Sequence, residues 1–189
     1  GGPAGLTAAW KLGEAGYHVA LFERRLSIGG GMWGGGMTWS VLVVQDDSRP
    51  ILEEAGVSLR EYRPGYYTAD SVEATACLAA RAATSGAQVL NATSVEDVAV
   101  REDESGKRVT GLVINASAVE TAGLHVDPLV VRARAVVDCT GHQTEVARCL
   151  ARKNDVALAT PSGGIEGERS MWAEVADSAT VENTGEVFP

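Results

Sequence analysis

The chain is short of the features that mark secreted, membrane or nucleic-acid-binding proteins. It has only three cysteines, Cys77, Cys139 and Cys149, in 189 residues. They are scattered and form no CxxC pair, which excludes a disulfide framework and a cysteine zinc site and fits reduced thiols in the cytosol. No apolar stretch comes near the ~20 residues of a membrane helix. The opening glycines are not the basic-then-apolar pattern of a signal peptide. A cytoplasmic protein with no membrane partner is therefore expected. Basic charge is also scarce: 16 Lys and Arg against 25 Asp and Glu leave a net charge of −9. A nucleic-acid partner is not expected, since such binders need a basic face to displace counterions. A phosphorylated small ligand remains open, because helix N-termini hold phosphate with backbone N–H groups. What the chain does have is a globular balance, 45% apolar and 22% charged, and clustered glycine, 22 of 189 residues, or about 12% against a usual share of roughly 7%.

The first cluster is Gly1-Gly2-Pro3-Ala4-Gly5-Leu6. After it, Leu6, Ala9, Trp10 and Leu12 recur at helical spacing over residues 6–15, and Gly16 suits a helix end. An apolar strand is expected over 17–22, closed by Glu23. Gly-rich turn, helix, strand and acid form the later part of a dinucleotide-binding fingerprint. Gly2 and Gly5 are spaced as the last two glycines of GxGxxG, and Glu23 follows Gly5 by 18 residues. The first glycine and first strand would precede residue 1. A plain turn–helix–strand unit is the alternative. The second cluster, Gly29 to Met37, has six glycines in nine residues, interleaved with Met32, Trp33 and Met37. Glycine loses much entropy on ordering, and flexible linkers lack such interleaving, so a loop laid closely around a ligand is expected.

The remainder reads as mixed α/β. Helices are expected over 48–55, 70–85 (capped by Asp70 or Ser71) and 144–153. Strands are expected over 87–90, 94–100, 109–115 and 130–138, the last with Ala135, Val136 and Val137 buried. A charged turn covers 102–107. Residues 154–180 carry few periodic signals, and Ser162-Gly163-Gly164 suggests a mobile loop. Two polar segments hold most of the available chemistry: Gly123-Leu124-His125-Val126-Asp127-Pro128, and Thr140-Gly141-His142 at the end of a strand, where ligands meet such sheets. His18 has no polar company and suits a structural role. Imidazole with carboxylate suits a divalent metal such as Fe(II), although two ligands do not define a site.

Taken together, Gly2-Pro3-Ala4-Gly5-Leu6, Phe22-Glu23-Arg24, Ile28 to Met37, Gly65-Tyr66-Tyr67, Val95-Glu96-Asp97-Val98, Gly123 to Leu129, Thr140-Gly141-His142 and Ser170-Met171-Trp172 resemble the thiazole synthase family of thiamine biosynthesis. The likeness is to its archaeal-type, sulfide-dependent branch, which is also described as ribose 1,5-bisphosphate isomerase. The resemblance implies an α/β fold of the two-dinucleotide-binding-domain flavoprotein type, Rossmann-like and three-layered, as one NAD-binding domain over 1–189. It implies that NAD is a substrate, joined with glycine and sulfide into an ADP-linked thiazole carboxylate with the help of Fe(II). Asp127 and His142 would be the iron ligands, with Asp127 coming from a neighbouring protomer of a homo-oligomer. Glu23 and Arg24 would hold the adenosine ribose. Gly2, Ala4, Gly5, Gly31 and Val95 would line the NAD site, with His125, Val126 and Asp127 near the reacting end.

Three departures from the family pattern accompany the likeness. Position 4 is Ala where Ser is usual. The first strand is missing. The family continues past Pro189 into a last strand, a helix and an arginine for the glycine carboxylate, so the chain is expected to be a fragment. His125 stands where a self-sacrificing branch of the family has its sulfur-donating cysteine, which implies use of free sulfide. An FAD- or NAD-dependent oxidoreductase of the same fold and a non-catalytic nucleotide-binding subunit are the alternatives.

Overall fold

A computed structural model describes residues 1–35, 40–104, 106–154, 156, 158–160 and 165. Gly36, Met37, Ser162 to Gly164 and Ser170 to Trp172 lie outside the described residues, as does the side chain of His142. The chain runs through α1 (Pro3–Glu14), β1 (Ala20–Phe22), β2 (Val41–Gln45), α2 (Arg49–Ala55), β3 (Arg60–Arg63), β4 (Tyr66–Asp70) and α3 (Ser71–Thr84). It continues with β5 (Gln88–Leu90), β6 (Thr93–Asp103), β7 (Gly106–Ala116), α4 (Ser117–Thr121), β8 (Leu129–Arg132) and α5 (Glu145–Asn154). By contact it divides into two compact units, one holding 1–20 and 29–88 and the other holding 21–28 and 89–167.

In the first unit α1 packs on α3. Leu6 and Trp10, and Ala74, Leu78 and Ala82, recur at i, i+4 and are all nearly inaccessible, which places each set on one helical face. Small residues set the distance between the helices. A methyl group on Gly13 would sit 2.7 Å from the Ser85 carbonyl oxygen, and the Ser85 hydroxyl donates to the Ala9 carbonyl at 3.4 Å. Asp70 caps α3 by accepting from the Val72 and Glu73 N–H groups, each at 2.8 Å, one of the two caps expected for this helix. The strands form an antiparallel sheet in the order β2-β4-β3. Its buried face comes from Leu42, Val44, Tyr67 and Ala69, with Leu42 opposite Ala69 and Val44 opposite Tyr67. This sheet was not expected from the sequence.

The second unit holds the long hairpin β6–β7, paired from Thr93 with Ala116 to Asp103 with Gly106, and β8 beside it. The strand expected over 130–138 is shorter. β8 ends at Arg132, and Val137 is 61% exposed instead of buried. No strand among the described residues pairs with 134–138, and an extended segment without a neighbour has neither ladder bonds nor cover. β1 and β5 pair in the parallel sense: the Gln88 N–H donates to Val19 O and the Glu23 N–H donates to Leu90 O, advancing together along both strands.

α5 is tied to β6 through Asp97, which accepts from Lys153 Nζ at 2.7 Å and from the Cys149 thiol at 3.0 Å. The Lys153 contact holds the Asp97 carboxyl below its ordinary range. A depressed carboxyl adds stability above its unfolded pKa, near 4, that is lost as pH falls through the folded value. Asp97→Asn should therefore lower stability by up to about 1 kcal/mol at neutral pH, with the gap to the parent closing below about pH 4. Denaturant melts at pH 7 and pH 3 check this, and an equal gap at both would contradict it.

Candidate functional site

The two glycine clusters meet. Gly2 occupies the cap position of α1 and supplies no side-chain bond to its first turn, while Pro3 removes one N–H. The Ala4 and Gly5 N–H groups belong to that turn, whose donors have no intrahelical acceptor. Ala4 is exposed and Gly5 is buried. Against this turn lies the second cluster: the Gly29 N–H donates to Gly1 O at 2.7 Å. Gly29 has φ +114° and Gly30 has φ +61°. A methyl group on Gly30 would come within 2.8 Å of the Gly2 Cα. Gly31 faces open space. Glycine is needed at 29 and 30 for backbone conformation and close approach together. The segment then turns through a 3-10 stretch, Met32–Gly34. Met32 is buried, and the Trp33 carbonyl accepts from the Ser71 hydroxyl at 3.2 Å.

In the second unit Glu23 follows β1 and is 9% exposed. Its carboxylate accepts from the Arg25 N–H at 2.8 Å, and its main chain pairs with Leu90 and Thr93. Arg24 turns outward and pairs with Glu145 at 3.1 Å. Thr140–Gly141–His142 forms a tight turn with Gly141 at φ +77°. Asp138 builds it: one carboxylate oxygen accepts from the Thr140 N–H and hydroxyl at 2.9 and 2.6 Å, and the other accepts from the Ala147 N–H at 2.8 Å. Thr140 Oγ1 in turn accepts from the Glu145 N–H at 2.7 Å. Val95 is half-buried in β6, facing Ile114, beside a bulge. His125, Val126 and Asp127 are exposed in the loop between α4 and β8, where Asn115 Nδ2 donates to the Val126 carbonyl at 3.1 Å.

The structure thus brings Gly1 and Gly2 against Gly29 and Gly30 at the start of α1, and ties Arg24 to Glu145, the first residue of α5 after the turn that carries His142. Among the described residues no three His, Cys, Asp or Glu groups gather to hold a metal ion. Burial raises the thiol pKa at Cys139, and burial followed by the Asp97 hydrogen bond raises it at Cys149. Both thiols are thereby kept protonated, and the thiolate is the reactive form. Sequence reading passed over Asp138 and Glu145. The spacing Asp138-x-Thr140, just ahead of a helix, is the pattern from which an Asx turn and cap can be read.

Parallel β1–β5, a glycine turn opening α1, and an acid closing β1 define a Rossmann-like, FAD/NAD-binding α/β fold. The fold recurs in pqsL, a probable FAD-dependent monooxygenase from Pseudomonas aeruginosa, at a TM-score of 0.54 and 16% identity, covering 84% of this chain and 44% of that one. Within that class the relationship is specific. The Thi4 family model matches residues 1–189, and the chain belongs to the Thi4 family. It is 57% identical over its whole length to the thiamine thiazole synthase of Solidesulfovibrio magneticus, spanning 72% of that protein. The crystal structure of Thermovibrio ammonificans THI4 superposes at a TM-score of 0.82 with 49% identity, over all of this chain and 71% of that one.

Proposed function

We propose that this chain is a thiamine thiazole synthase that consumes NAD, joining its ADP-ribose part with glycine and sulfide into an ADP-linked thiazole carboxylate. The observation that carries the reading is the backbone cradle of Gly2, Gly29 and Gly30 at the start of α1. Apposed glycine turns and an uncapped helix N-terminus suit a dinucleotide pyrophosphate, and the family match gives that nucleotide its chemical fate. Residues 1–189 act as one NAD-binding domain. Ala4 and Gly5 present N–H groups to the pyrophosphate, and Gly31 leaves room beside it. Glu23 accepts hydrogen bonds from the adenosine ribose hydroxyls, and Arg24 lies at its rim. Val95, His125 and Val126 line the remainder of the nucleotide path. His125 presents its imidazole to the reacting end.

Fe(II) belongs to this reading through Asp127 and His142. As the family resemblance implies, the two ligands are assigned to different protomers of a homo-oligomer. The ion would supply Lewis-acid stabilisation of the condensing substrates. Asp127 is suited to join a site from outside its own chain, because its loop is exposed.

The sulfur comes from free sulfide. Position 125 is histidine, and the Cys139 and Cys149 thiols are held protonated. Anaerobic incubation with NAD, glycine and Fe(II), with and without sulfide, followed by mass spectrometry of products and protein, tests this. Thiazole formed only with sulfide, with nicotinamide release and an unchanged protein mass, is the expected result. Product without sulfide, together with loss of one sulfur from the chain, would overturn it. Glu23→Ala should weaken NAD binding by about 1.5–3 kcal/mol, the range for hydrogen bonds to a charged group. Calorimetry reads this directly, and an unchanged dissociation constant would remove Glu23 from the site.

A further inference from the structure

Arg24 follows the ribose-reading acid by one residue, and in this fold class that neighbourhood decides between two dinucleotides. An acid at the strand end takes the 2′-hydroxyl of NAD, whereas a nearby arginine accommodates the 2′-phosphate of NADP. This chain has both residue types side by side, Glu23-Arg24-Arg25. The structure shows where the Arg24 charge goes. Its guanidinium donates to Glu145 Oε1 at 3.1 Å. Glu145 is the first residue of α5, and its position is fixed by its own N–H on Thr140 Oγ1 and by the bonds from Asp138 to Thr140 and Ala147. An acid is also well placed in the first turn of a helix, where the dipole favours negative charge.

We propose that Glu145 is a specificity-determining residue that selects NAD over its 2′-phosphorylated analogue by keeping Arg24 occupied. The inference rests on the reading of Glu23 as the ribose acceptor. With Arg24 held by Glu145, a 2′-phosphate entering beside the Glu23 carboxylate meets like charge and has one counter-ion fewer, the exposed Arg25 being the cation that remains. The 2′-hydroxyl of NAD carries no charge and is indifferent to the pairing. Glu145 thus acts through Arg24 and touches no substrate atom.

The test is calorimetric titration of the full chain with NAD and with NADP. Glu145→Gln keeps the side-chain shape but removes the carboxylate charge, leaving the guanidinium charge uncompensated. The preference for NAD should fall about fivefold, the most that an exposed ion pair can supply. In Glu145→Gln/Arg24→Gln the preference should return to the parent value, since the released charge is gone. Arg24→Gln alone should not lower the preference, because it removes a cation that is already paired and leaves the Glu145 carboxylate, a like charge to the 2′-phosphate, in its place, and this arm does not depend on how Glu145 variants fold. An unmoved ratio in Glu145→Gln, a shift that persists in the double variant, or a fall in the preference in Arg24→Gln alone would each overturn the proposal. Glu23→Ala separates the two levels. If NAD binding survives it unchanged, the ribose reading fails. If NAD binding drops while the Glu145 ratio stays fixed, only the selectivity inference fails.

Discussion

Gly30→Ala is expected to lower stability by about 2–5 kcal/mol and to abolish measurable NAD binding. Two costs add. A residue with a Cβ at φ +61° is strained by about 1–2 kcal/mol. The added methyl also lies 2.8 Å from the Gly2 Cα, which is backbone and cannot rotate away, and overpacking of this kind costs about 1–3 kcal/mol. Against a total of roughly 5–15 kcal/mol the protein should still fold, but with the two glycine turns pushed apart. Thermal melts and NAD titration check both halves. Gly31→Ala is the control: Gly31 has open space around it, so a variant there should keep its stability. If Gly30→Ala and Gly31→Ala melt together, the close approach of the turns is not a constraint on the fold.

Asp127→Ala and His142→Ala should each lose bound iron and thiazole formation, while NAD binding survives, because the glycine cradle is built from other residues. The shared-site proposal adds a sharper expectation. When the two variants are mixed and allowed to exchange subunits, about a quarter of the sites formed by random pairing receive Asp127 from one protomer and His142 from the other. Iron content and turnover should return to about that fraction. Full iron in either variant alone would dismiss that ligand. No recovery on mixing, despite exchange shown by mass-tagged subunits, would place both ligands in one chain.

The parts legible in the sequence were those where a local rule acts alone. α1, α2, α3 and α5 carry apolar spacing, caps and terminal glycines, and each lies close to its expected place. The hairpin β6–β7 was legible for the same reason, from alternation on either side of a charged turn. The sheet β2-β4-β3 was not. Val41 to Gln45 is a short apolar run, and Arg60–Arg63 is exposed at every position and mostly charged, so neither shows the alternation that marks a half-buried strand. The segment 134–138 failed in the opposite direction: its composition is that of a buried strand, but burial needs a neighbour that its own sequence does not name. The glycine turn that opens α1 and the acid that closes β1 could be read because the backbone geometry they serve is local. The Glu145–Arg24 pair joins positions 121 residues apart, and no sequence pattern links them.

The bond from the Gly29 amide to the Gly1 carbonyl closes a long loop that contains α1 and β1. Its amide proton exchanges with solvent when the two glycine turns part, so it reports on the opening of the cradle. On the proposed function, a nucleotide pyrophosphate seated across the first turn of α1 would hold that opening shut. Hydrogen exchange at this one amide should therefore slow in proportion to nucleotide occupancy, giving a clock for binding that needs neither turnover nor iron.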